Sequence, residues 1–101
     1  MKKKTAALEP RELTDKDFSH MIRRDQRLRI VAGELQPGDV AALRRFVQLT
    51  QEQFAEALGI SVRTLQNWEQ DRVVPEGPGR ALLRIAARNP RIIRQNVAKV
   101  A

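Results

Sequence analysis

The stretch from Thr50 to Gln70 constrains this chain more than any other part. It reads Thr-Gln-Glu-Gln-Phe-Ala-Glu-Ala-Leu-Gly-Ile-Ser-Val-Arg-Thr-Leu-Gln-Asn-Trp-Glu-Gln. Thr50 is a good N-cap for a short helix over residues 51–58, and Glu52 and Gln53 sit where they can complete its first hydrogen bonds. Gly59 ends that helix, because glycine takes the left-handed conformation at no steric cost. Ser61 then caps a second helix, from 62 to about 70. Phe54, Ala55 and Leu58 form the inner face of the first helix, and Leu65 and Trp68, three apart, form that of the second. Ala55 suits the closest approach of two helices crossing steeply over a three-residue turn, and Ile60 plugs the corner. Two capped helices in this relation form a helix-turn-helix, whose second helix can present its outer N-terminal residues to a DNA major groove.

The flanking sequence supplies the rest of a small helical domain. Asp39 reads as the N-cap of a helix through residue 49, with Val40, Leu43, Phe46 and Val47 on one face. Gly77-Pro78 opens a helix over 78–88 carrying Leu82, Leu83, Ile85 and Ala86. Asn89-Pro90 breaks the chain and starts a last helix with Ile92, Ile93, Val97 and Val100. Before residue 37 the reading is sparser. The first dozen residues hold few large apolar groups and are expected to be disordered. Thr14 can cap a short helix with Phe18, Met21 and Ile22 at i, i+3 and i+4. The alternation Arg27-Leu28-Arg29-Ile30-Val31 reads as a short strand or extended arm ending at Gly33. The expected organisation is an N-terminal arm over 1–36 and a folded domain over 37–101.

Composition narrows the chemistry. A chain of 101 residues accommodates one small domain and an arm, with no room for a second catalytic domain. With no cysteine and one histidine, His20, it has no disulfide framework, thiol nucleophile or His-rich metal site. No catalytic triad, phosphate loop or carboxylate pair stands out, so a protein that is not an enzyme and needs no metal or cofactor is expected. No apolar run is long enough to span a membrane, and no secretory apolar core follows Met1-Lys2-Lys3-Lys4; a soluble protein of the cytoplasm, on the nucleoid when bound to DNA, is the expectation. The net charge of +7 favours a polyanionic partner, nucleic acid first. It is unevenly spread: nine basic against six acidic side chains over 1–36, three against four over 37–70, and seven against two over 71–101.

The outer face of the second helix of the motif carries the candidate readers. Arg63 and Asn67 are four apart and therefore adjacent. Arg63 can read guanine O6/N7 or hold a phosphate, Asn67 can bond adenine or the backbone, and Val62 can touch a thymine methyl. The bland alternative is a solvated helix face. Ser61, Thr64, Gln66 and Gln70 suit positioning contacts to the DNA backbone better than base readout. Gln51 begins a helix beside the turn, where its amide and the unpaired N–H groups can hold a phosphate or simply cap. Trp68, with its inward spacing, reads as core. Ile92, Ile93, Val97 and Val100 make a stripe large for a lone surface helix, suited to a two-fold dimer contact or to packing on its own domain. A dimer would read a palindromic operator on double-stranded DNA, with half-sites about 34 to 36 Å apart.

The run Thr-Gln-x-x-Phe-Ala-x-x-Leu-Gly-Ile-Ser-x-x-Thr-Leu-x-x-Trp-Glu-Gln, followed by Arg72-Val73-Val74-Pro75, resembles the signature of the Xre/Cro-type helix-turn-helix family. The resemblance implies an all-α, five-helix, lambda-repressor-like domain behind a partly disordered arm holding a short helix and strand. It assigns Gln51 to a phosphate, places Arg72 as a phosphate-binding cation, and sets Arg44 against Glu69 as a structural ion pair. Asp71 departs from the pattern, which usually has glycine there; aspartate tolerates the left-handed conformation better than most residues. Gly33-Glu34-Leu35, Trp68-Glu69-Gln70 and residues 75–83 further resemble HigA-type antitoxins, partners of RelE/HigB-fold ribonuclease toxins. That resemblance implies a homodimeric repressor of its own operon whose arm covers a toxin. The arm is net +3, so Phe18, Met21, Ile22, Leu28 and Ile30 serve as apolar toxin-binding anchors better than charge does. A stand-alone Xre-family regulator, or an interaction module that works through the arm, are the alternatives.

Overall fold

Glycines and prolines punctuate the chain into short helices, each with one apolar stripe turned inward. The computed structural model describes residues 22–97. Among the described residues the helices are α1 Arg24–Val31, α2 Asp39–Val47, α3 Gln51–Leu58, α4 Val62–Glu69, α5 Pro78–Arg88 and α6 Pro90–Gln95, with no strand. Their shared core contains Leu43, Phe46 and Val47 of α2, Phe54 and Leu58 of α3, Leu65 of α4, and Leu83, Ala86 and Ala87 of α5. No helix among the described residues is long and apolar enough to cross a membrane. The expected disordered start and the expected helix over Thr14, Phe18 and Met21 lie outside the described residues, as does Val100.

Local caps set the helix-turn-helix. Thr50 accepts the N–H of Gln53 while the Gln53 side chain accepts that of Thr50, closing a capping box. Gly59 is left-handed at φ 74°, and the Gly59 and Ile60 N–H groups return to the carbonyls of Glu56 and Ala55. Ser61 Oγ accepts from Thr64 N at 3.0 Å.

Four sequence expectations are corrected. The segment 27–31 is helical, in α1, and forms no strand. Its alternation hides a helical face: Arg27, Ile30 and Val31 fall at i, i+3 and i+4, and no neighbouring strand exists among the described residues to pair with an extended arm. Ile30, expected as an exposed toxin anchor, is fully buried in the core, whereas Ile22 is half-buried against it and Leu28 is exposed. α1 is tied to α5 at two points, by Arg27 Nε to the Ala87 carbonyl at 2.8 Å and by Arg84 Nε to the Val31 carbonyl at 2.9 Å.

Asp39 lies inside the first turn of α2, and the N-cap is Gly38, left-handed at φ 86°. The Asp39 carboxylate is buried and accepts from Arg29 Nη1 at 2.6 Å, Gln26 Nε2 at 3.0 Å and the Gln36 N–H at 2.8 Å. Burial pushes this carboxyl up, but the bonds from Arg29, Gln26 and Gln36 outweigh it and leave its pKa below the usual aspartate value. Finally, the last helix does not present a whole apolar stripe outward. Ile93 and Val97 are buried in their own domain and Ile92 is exposed, while the helix itself stops at Gln95. Polar ties explain the orientation: Arg94 Nη1 donates to the carbonyls of Val47 and Gln48 at the end of α2, and Asn96 Nδ2 donates to the Ala57 carbonyl near the end of α3. Carbonyls at a helix end generally need such outside donors, because the helix stops before it can supply them.

Candidate nucleic-acid interface

α4 is anchored from behind and open in front. Leu65 is fully buried and Trp68 nearly so. Two residues to either side of Leu65, at positions that rotate away from the core, Arg63 is exposed and Asn67 half-exposed on the outer side. Val62 is half-buried against the core, so only part of it remains for contact. Ser61 and Thr64 lie at the start of α4, their hydroxyls 3.0 Å apart, with Ser61 exposed. At the other end Gln70 and Arg72 are exposed.

Behind this face runs a continuous chain of polar side chains linking α2, α3 and α4. Arg44 Nε donates to Glu69 Oε2 at 2.6 Å, and Arg44 Nη2 to Oε1 at 3.4 Å. The fork geometry fixes both planes. Arg44 Nη1 also donates to the Leu49 carbonyl at 3.2 Å. Gln51 Nε2 donates to Glu69 Oε1 at 3.1 Å, and Gln66 Nε2 donates to Gln51 Oε1 at 3.3 Å. The Glu69 side chain is 8% exposed and that of Arg44 22%, so the pair is shielded from solvent on one side.

This chain changes the reading of two residues. Gln51, expected to hold a phosphate through its amide, has that amide turned inward onto Glu69 and Gln66. Gln66, expected on the DNA backbone, is half-buried and holds Gln51. A partnership between positions 15 apart, in two helices and between two neutral amides, leaves no periodic signal that sequence reasoning could detect.

The exit from α4 is also specific. Asp71 takes φ 60°, the left-handed conformation that its position demands. Its Oδ1 accepts the Gly38 N–H at 3.3 Å, tying the exit loop to the start of α2. Val73 and Val74 are exposed and Pro75 is buried. Among the described residues no group of His, Cys, Asp and Glu side chains is placed to hold a metal ion.

Residues 40–77 match the family model described as helix-turn-helix. Over 60 residues the chain is 40% identical to Antitoxin HigA-2 of Vibrio cholerae serotype O1, an alignment covering 57% of this chain and 58% of that relative. The chain thus spans somewhat over half the length of the relative it matches. No solved structure matches it significantly. Sequence pattern, helix order and these similarities agree: residues 40–77 form a helix-turn-helix, in a chain that is similar to Antitoxin HigA-2 and resembles the Xre type.

Proposed function

We propose that the protein is a sequence-specific DNA-binding repressor that reads a palindromic operator as a homodimer. We further propose that it is the antitoxin of a type II pair, neutralising a RelE/HigB-like ribonuclease toxin and repressing its own operon in the cytoplasm. The observation that carries the DNA reading is the asymmetry of α4: Leu65 and Trp68 lock one side into the core while Arg63 and Asn67 stand on the other. A helix frozen in this way can enter a major groove with little further ordering cost.

The roles divide accordingly. Arg63 donates to guanine O6/N7 or to a phosphate, Asn67 pairs with adenine, and the exposed part of Val62 meets a thymine methyl. Ser61, Thr64, Gln70 and Arg72 hold the backbone on either side. The phosphate contact at the start of α3 falls to the N–H groups of Gln51 and Glu52, which no carbonyl within their helix can accept; the Gln51 side chain positions α4 instead.

The toxin reading rests on similarity to a relative that is named an antitoxin. Of the expected anchors, Leu28 offers exposed surface, Ile22 offers part of its own, and Ile30 is committed to the core. The dimer reading retains Ile92 as an exposed contact, since Ile93 and Val97 pack inward.

A gel shift with DNA from upstream of the gene tests the repressor reading. Arg63→Ala with Asn67→Ala abolishes the specific shift while the helical circular dichroism stays intact; binding unaltered by the pair would refute the assignment of α4. Copurification with the product of an adjacent short reading frame tests the antitoxin reading. Loss of that complex on deleting residues 1–21 and replacing Leu28 with serine places the contact on the N-terminal side, and a complex indifferent to both moves it to the folded domain.

A further inference from the structure

The backbone is strained where the chain leaves α4. Asp71 stands at φ 60°, a left-handed conformation that residues with a Cβ rarely adopt. The N–H groups on either side of it close a Schellman end on α4. That of Asp71 donates to the Trp68 carbonyl at 3.2 Å, and that of Arg72 to the Asn67 carbonyl at 2.9 Å. Glycine closes such an end without strain and is the usual residue there. Nothing in the helix end itself requires a carboxylate, and a negative charge one residue from a phosphate-binding arginine opposes DNA. Strain kept beside a binding surface points to a use at that surface.

What the carboxylate adds is a bond across the domain. Asp71 Oδ1 accepts the Gly38 N–H at 3.3 Å, from 33 positions away. Gly38 is a fixed donor. Its carbonyl accepts the Ala42 N–H at 3.1 Å in the first turn of α2, and its neighbour Asp39 is buried and held by Arg29, Gln26 and the Gln36 N–H. Arg72 is thereby fixed from two directions, through its own N–H to Asn67 and through Asp71 to the start of α2. Its side chain is exposed. A cation on backbone held at both sides reaches a phosphate with less ordering cost than one on a free loop.

We propose that Asp71 is a positioning residue for DNA binding: its bond to Gly38 holds the loop after α4 so that Arg72 meets a phosphate while Arg63 and Asn67 lie in the groove. The proposal rests on the DNA reading above and deepens it. It assigns Asp71 to affinity rather than to stability, acting through Arg72 and without a contact of its own.

The test is fluorescence anisotropy of the full chain on labelled DNA from upstream of its gene, across a salt series, with a urea melt of each variant. Asp71→Gly and Asp71→Asn both remove the charge, but only asparagine keeps an acceptor for the Gly38 N–H, so their difference reads the tie alone. Asp71→Asn binds no more than about twofold more weakly than the parent, and Asp71→Gly at least about fivefold more weakly than Asp71→Asn. The plot of log affinity against log salt for Asp71→Gly is shallower by about 0.9, the slope of one phosphate contact. Arg72→Ala alone weakens binding as Asp71→Gly does, and adding it to Asp71→Gly weakens binding little further. The urea midpoint of Asp71→Gly is no lower than the parent's, because the left-handed strain is gone. Equal affinity and salt slope for the two Asp71 variants would overturn the proposal, as would a full additional loss on adding Arg72→Ala. A lower midpoint for Asp71→Gly would make the tie a stability element and overturn it too. A parent with no specific binding would refute the DNA reading and this proposal together, whereas the other outcomes leave the DNA reading standing.

Discussion

Gly79 lies against the indole of Trp68 so closely that a Cβ placed on it would stand 2.8 Å from Cη2 and 2.9 Å from Cζ2. The contact pins α4, the second helix of the helix-turn-helix, to the first turn of α5. Trp68 is buried, with 7% of its surface exposed. Alanine normally gains helix propensity over glycine, but that gain is small in a first turn, and overpacking a buried ring costs about 1–3 kcal/mol. Gly79→Ala is therefore expected to lower stability by about 1–2 kcal/mol, read as a lower urea midpoint with unchanged slope. A midpoint at or above the parent's would show that the ring gives way freely.

The Arg44–Glu69 pair predicts a second effect. Removing Arg44 leaves the Glu69 carboxylate, 8% exposed, with the Gln51 amide as its side-chain donor among the described residues. Breaking a fully buried pair costs about 3–5 kcal/mol, and the partial exposure of Arg44 reduces that here to about 2–3 kcal/mol. A double-mutant cycle with Arg44→Ala and Glu69→Ala is expected to give a coupling above about 1 kcal/mol. Additive single effects would show that the pair contributes nothing beyond its separate packing.

Asp39 predicts an acid-dependent loss. Its folded pKa lies below the usual value because the bonds from Arg29, Gln26 and Gln36 outweigh its burial. Between the folded pKa and the unfolded value of about 3.9, the unfolded chain binds more protons, so stability rises with pH there. The contribution is complete above the unfolded pKa and is lost as the pH falls through the folded one. Thermal melts from pH 6 to pH 3 should show the parent losing more than Asp39→Asn below about pH 4; parallel curves would remove Asp39 from the explanation.

Arg94 predicts a local effect. Burial pushes its guanidinium down from the usual arginine value, yet it remains the donor to two carbonyls at the end of α2, at 3.0 and 2.8 Å. Arg94→Met retains much of the side-chain volume and removes both bonds, a loss of about 1–3 kcal/mol. Hydrogen exchange should accelerate first at the amides of Gln48 and Leu49, which close the last turn of α2 onto Arg44 and Arg45. Uniform acceleration across the domain would instead mark Arg94 as part of the global core.

The helix-turn-helix is the most legible part of the chain because its signals are local. Thr50, Gln53, Gly59 and Ser61 act on neighbours within four residues, and Leu65 and Trp68 declare their inward face by spacing alone. The amphipathic face of α2 is legible for the same reason, whereas that of α5 is legible only in part: Leu83 and Ala86 are buried as their spacing suggests, but Ile85 is 44% exposed and Ala87 takes its place in the core. α1 misleads because residues 27–31 satisfy two periods at once, and five residues cannot choose between them without a surface to pack on. Gln51 and Gln66 mislead because a polar side chain reads as available until its partner is known.

The same division separates two kinds of arginine. Charge count and helix position mark Arg27, Arg44 and Arg94 alike, and nothing within a few residues of any of them distinguishes a strut from an arginine left to solvent. The difference arises when remote backbone arrives: the Ala87 carbonyl 60 positions from Arg27, Glu69 25 positions from Arg44, and Val47 47 positions from Arg94. Caps and stripes are short-range interactions, so the linear chain specifies where helices begin, end and turn their apolar faces. Pairings over such separations form only when the packed core brings helix ends together, and for that reason spacing already turns Arg63 and Asn67 outward while packing alone converts Arg27, Arg44 and Arg94 into supports.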